Sequence, residues 1–123
     1  HDAIQPVVDA GLVDLIDHTH KVCPELSLIP TPGHTPGHVS IVIESKGQRA
    51  VITGDMMHHP IQLAMPEDEG RFDMIKDLAA KTRVDFVKSV ADTETYVIGS
   101  HFCDPTGGFV VSDGKGFRFT QKD

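Results

Sequence analysis

Two Thr-Pro-Gly-His units stand in tandem at Thr31-Pro32-Gly33-His34-Thr35-Pro36-Gly37-His38. Each Pro-Gly pair is a turn signal, because Pro presets φ and Gly accepts positive φ. The turns open directly into Val39-Ser40-Ile41-Val42-Ile43, an apolar, β-branched run that reads as a buried strand. An imidazole held on a turn at the mouth of a strand is well placed to ligate a zinc-like ion. Residue types alone leave a second possibility open, a turn carrying two solvated imidazoles. Two further groups belong to the same pattern. Ala50-Val51-Ile52-Thr53 stops at Gly54-Asp55, and Thr95 to Ile98 stops at Gly99-Ser100-His101-Phe102. The steps between them are 55 − 34 = 21 and 101 − 55 = 46.

The elements that must position these groups follow from pattern. Val39 to Glu44 is a strand, Ser45 to Arg49 a hairpin turn with Gly47 at its tip, and Ala50 to Thr53 the return strand. His34 and Asp55 therefore bracket an antiparallel pair, whose two ends are neighbours within reach of one ion. Upstream, residues 1–17 read as a short helix or turn and then an extended piece from about Leu12, and His1 is terminal. His18-Thr19-His20 is a polar connection, and Cys23-Pro24-Glu25 makes a tight turn between two short strands. Residues 56–70 read as an irregular loop. The main helix spans 71–91, with Ile75, Leu78, Ala79, Thr82, Phe86 and Val90 at spacings of three and four. Asp68, Glu69 and Asp73 stand near its start, where the helix dipole favours acids. Phe109-Val110-Val111 and Phe117-Arg118-Phe119 pair around Asp113-Gly114-Lys115-Gly116. Met56, Met57, Met65 and Cys103 are read as core filling.

The chain has 123 residues and fits one domain, 1–123. Its formal charge is −7, with no basic stripe to displace counterions from phosphates, so a nucleic-acid partner is excluded. No apolar run approaches the roughly 20 residues that span a membrane, and no signal peptide is seen. The two cysteines, Cys23 and Cys103, form no CxxC and no disulfide framework. A reducing, cytoplasmic setting is the expectation.

TPGHTPGH, then Thr53-Gly54-Asp55, then Gly99-Ser100-His101-Phe102, resembles the C-terminal half of a metallo-β-lactamase-fold hydrolase. The branch it is most similar to holds the N-acyl homoserine lactonases and the methyl parathion hydrolase-like enzymes. Met57-His58-His59-Pro60-Ile61-Gln62 and Thr82-Arg83 add to the likeness, which runs from about Val7 to Phe119. It implies a mixed α/β (α+β) fold, half of an αββα sandwich with a mostly antiparallel sheet and one main helix at about 71–91. It implies zinc or another divalent metal as cofactor, with His34 and His101 as ligands and Asp55 bridging two ions as the catalytic carboxylate. A carboxylate has two oxygens and can span cations about 3.5–4 Å apart. His38, His58, His59 and Phe102 would support those ligands or line the substrate pocket.

The family's main ligand cluster, His-x-His-x-Asp-His, is not in this chain. His18-Thr19-His20 is its one His-x-His, and Lys21-Val22 follow. The expectation is therefore the second half of a sandwich, holding one ion at most through His34, Asp55 and His101, and inactive by itself. A missing N-terminal half would complete the site for a small-molecule ester, lactone or phosphotriester. An uncovered sheet face invites self-association, so a homo-oligomer is expected. The alternative is a non-catalytic, oligomeric binding or vestigial protein that keeps the scaffold.

Overall fold

The computed structural model describes residues 3–121, so His1 lies outside the described residues. A short helix, α1 (Gln5–Asp9), begins with Pro in its first turn and is followed by β1 (Lys21–Cys23) and β2 (Leu26–Pro30). The central hairpin is β3 (Val39–Ser45) and β4 (Gln48–Ile52). A 3-10 turn (Gly54–Met56) and a one-turn helix, α2 (Ile61–Ala64), lead to the long helix α3 (Lys76–Val90). β5 (Thr95–Ile98), β6 (Gly107–Asp113) and β7 (Gly116–Thr120) complete the chain.

The seven strands form one sheet in chain order, so each strand lies beside its sequence neighbours. All neighbours run antiparallel except β4 and β5, which are parallel with Ile52 opposite Ile98. A parallel pair needs a long crossover, and α3 lies within it. The result is a mixed α/β fold with a mostly antiparallel sheet and few helices, as the resemblance implies.

Strand alternation divides the sheet into two apolar faces. The inner face carries Val42, Val51, Val97 and Val110, which cluster with Phe86, Val87 and Val90 of α3. Complete burial of each such side chain contributes about 1.5–3 kcal/mol. The other face carries Leu28, Ile41, Ile43, Ile52, Ile98 and Phe109, all still partly exposed. Residues 3–22 are exposed throughout, including Leu12 and Leu15.

Three expectations need correction. The main helix starts at Lys76, not 71, because the amides of Met74 and Ile75 donate to the carbonyls of His34 and Gly33 rather than to a helical ladder. Asp73 is therefore not a helix-start charge; it is buried against Arg83. Cys103 and Met65 are exposed rather than core, while Met56 and Met57 are fully packed. Among the described residues, no helix is long and apolar enough to cross a membrane.

Candidate metal centre

The site forms where β4 and β5 end. Ile52 and Ile98 are ladder partners, and Asp55 and His101 each lie three residues beyond them, so equal offsets bring the two side chains together. His101 Nε2 stands 2.7 Å from Asp55 Oδ1. His34 enters from the turn before β3, with Nε2 3.5 Å from Asp55 Oδ2. One carboxylate thus faces an imidazole on each oxygen. The hydrogen bond from His101 holds the Asp55 carboxyl below its ordinary pKa, and the fields of His101, His34 and His58 add to this against a partial burial effect.

The tandem turn is stitched to α3. Besides the two amides of the preceding loop, Thr82 Oγ1 donates to Pro32 O at 2.7 Å. Gly33 sits at φ +136°, and a Cβ there would lie 2.3 Å from the Ala79 backbone. Only glycine permits that approach, and it fixes where His34 points.

His38 faces away from the carboxylate and grips its backbone. Its Nε2 accepts the Asp55 N–H at 2.9 Å, so the ring proton is assigned to Nδ1. Ser40 Oγ donates to Thr53 O at 3.0 Å, so Thr31 Oγ1 donates to Ser40 and accepts from His38 Nδ1, each at 2.9 Å. Burial holds the His38 pKa below 6.5, which keeps the ring neutral and able to accept.

His34 Nδ1 is buried, has no hydrogen-bond partner among the described residues, and lies 3.5 Å from Asp73 Oδ1. That separation is too long for a hydrogen bond. Asp73 is locked on its other oxygen by Arg83 Nη1 at 2.8 Å, with both side chains 1% exposed. Arg83 also donates to the carbonyls of Pro66, Met56 and Asp68. Neither Asp73 nor Arg83 was assigned a site role from sequence; an acid before a helix and an arginine in an amphipathic pattern both look like surface residues.

The two adjacent histidines after the 3-10 turn part company. The His58 ring lies 4.7 Å from the His101 ring and 5.1 Å from His34, centroid to centroid. Burial, then the neighbouring imidazoles, lower its pKa below 6.5. His59 is exposed, and its Nδ1 accepts the Ile61 N–H at 3.1 Å. Phe102 is not at the site: it is buried in the core, edge-on to Phe119 and against Gly99. His18 and His20 are exposed in the connection before β1. A cavity of about 560 Å³ lies at the opposite end of the strands, lined by Arg49, Tyr96 and Phe109 among others.

The donors present suit a divalent ion. They are imidazoles and a carboxylate, the ligand types that zinc accepts. Donor atoms of Asp55, His58 and His101 all lie within 4.8 Å of one another. The carboxylate of Asp73 stands behind His34, 3.5 Å from Nδ1, on the side where ligating imidazoles commonly have a carboxylate partner.

The model of the metallo-beta-lactamase superfamily matches residues 2–116. Hydrolase AbOPH of the beta lactamase superfamily superposes with a TM-score of 0.87 at 27% identity, over 98% of this chain and 42% of that one. AidC, a dizinc quorum-quenching lactonase in complex with a product, gives 0.83 at 26% identity, over 99% of this chain and 42% of that one. A probable metal-dependent hydrolase from Staphylococcus aureus gives 0.77 at 17% identity, over 93% and 41%, a likeness of fold alone. The chain thus spans about two fifths of the length of these structures. No curated protein matches it.

Proposed function

The chain belongs to the metallo-beta-lactamase superfamily, and we propose that it is the C-terminal portion, one domain, of a metal-dependent hydrolase of the dizinc type that cleaves ester, lactone or phosphotriester bonds. One observation carries this reading. Asp55 presents Oδ1 to His101 and Oδ2 to His34, at 2.7 and 3.5 Å. A carboxylate flanked on both oxygens by imidazoles is suited to sit between two cations. In this reading His34 and His101 ligate and Asp55 bridges. His38 fixes the backbone that carries Asp55, and His58 lines the open side of the site. A divalent ion held there would supply Lewis acidity toward a carbonyl or phosphoryl oxygen.

The remaining ligands must come from elsewhere, because the His-x-His-x-Asp-His cluster is not in this sequence. The partly exposed outer face of the sheet is where the rest of a sandwich would sit. In the isolated chain we propose that a second copy covers it. The two free thiols, Cys23 and Cys103, suit a cytoplasmic location.

The test is metal content and turnover of the 123-residue chain. Zinc bound at no more than one ion per chain, lost in Asp55→Ala, and no hydrolysis of lactone, aryl ester or phosphotriester supports the proposal. Two ions with turnover lost in His34→Ala would show an active chain and correct the incompleteness. Zinc bound equally well by Asp55→Ala, or no zinc bound at all, overturns it. The second reading, a non-catalytic oligomer, is favoured by the exposed apolar residues of 3–22. It predicts an oligomer that is indifferent to zinc.

A further inference from the structure

We infer that His58 is itself a metal ligand, so that Asp55, His58 and His101 hold one divalent cation within this chain. This rests on the reading of Asp55 as a metal-binding carboxylate and goes beyond it, since the resemblance has His58 support the ligands or line the substrate pocket, not ligate. One donor atom from each of these three residues lies within 4.8 Å of the other two, a grouping that does not include His34.

The position of His58 is built rather than incidental. Met56 and Met57, immediately before it, are fully packed in the core. Its backbone N–H donates to Gln62 Oε1 at 2.7 Å, which ties it to α2. The ring is flanked by His34, His101 and Phe72, with centroids 5.1, 4.7 and 5.9 Å away. Side-chain freedom is therefore already reduced on three sides, and a cation would find the imidazole nearly in place. Two imidazoles and a carboxylate match the donor composition of an open zinc site, which would leave room for water or substrate. His34 reaches the same carboxylate on its other oxygen, with Nε2 3.5 Å from Asp55 Oδ2, and stands outside this triple.

The experiment titrates the chelator-stripped chain with cobalt(II) and with zinc. The expected result is one ion per chain, with affinity reduced on the order of 100-fold or more in His58→Ala and in His101→Ala, beyond the 10–100-fold that loss of an outer partner costs. A His58→Cys variant gains a thiolate-to-cobalt charge-transfer band that the parent chain, with Cys23 and Cys103, lacks. Circular dichroism of each variant separates loss of binding from loss of fold. His58→Asn serves if His58→Ala does not fold. Unchanged affinity in the His58 variants, with no new band in His58→Cys, overturns the inference. If binding is then still lost in Asp55→Ala and His34→Ala, the proposed function stands without it. A parent chain that binds neither metal overturns both.

Discussion

The backbone amide of Asp55 donates to Nε2 of His38 across 2.9 Å, so the second histidine of the tandem motif holds the carboxylate of the next strand end by its main chain. Gly54, between them in the turn, lies at φ +58° with an added Cβ only 2.8 Å from His38 Nε2. The motif therefore supplies two different services, one imidazole toward the carboxylate and one behind it.

Acidification should loosen this arrangement. Burial depresses the folded pKa of His38 below the ordinary 6.5, so the unfolded chain binds the extra proton more readily. Stability from this group is complete above 6.5 and is lost as pH falls through the folded value. Protonated Nε2 also cannot accept the Asp55 amide. His58 adds a slope of the same sign. Urea midpoints measured at about pH 7.5 and 5.5 should fall on acidification, and less so in His38→Gln. An identical fall in the variant would refute the assignment.

The Asp73–Arg83 pair is buried on both sides, so removing one partner strands a charge. Arg83→Leu and Asp73→Asn should each cost about 3–5 kcal/mol, and the two together should cost less than their sum. Denaturant unfolding of the singles and the double measures this. Additive losses would show that the pair does not act as a unit.

The two glycines of the tandem motif should behave unlike one another. Gly33→Ala meets the backbone of α3 and an unfavourable φ, and should cost at least about 1–3 kcal/mol. Gly37 has nothing within 4 Å of an added Cβ, so Gly37→Ala should be within about 0.5 kcal/mol of neutral. Thermal melts of the two variants decide it.

The outer sheet face gives the oligomer prediction its handle. Ile41 and Ile43 alternate with the core residues of β3 and remain partly exposed. Light scattering should find a species larger than one chain, and Ile43→Lys should shift it toward monomer. A monomeric parent chain would defeat the proposal of a second copy on this face.

Much of the frame was legible because it rests on local signals. Alternation and a glycine tip mark the β3–β4 hairpin, and Gly-Asp and Gly-Ser-His mark strand ends beside which Asp55 and His101 do lie. What was not legible depends on long-range partners. Asp73 reads as a helix-dipole acid until Arg83, ten residues on, is seen to reach it through the protein interior. His58 and His59 are equivalent in sequence; the fold turns one ring into the cluster, while the other accepts the Ile61 N–H where α2 begins. Phe102 and Cys103 exchanged expected places, because the close approach at Gly99 draws the phenyl ring inward.

The parallel pairing of β4 with β5 has a consequence for how such a centre can vary. The separation of carboxylate 55 from imidazole 101 is set by two adjoining ladder rungs and a three-residue overhang on each. The intervening crossover does not enter that distance. Changes of length in the crossover would leave these two groups at the same spacing, so the chain can remodel what surrounds the pair while the pair stays where it is.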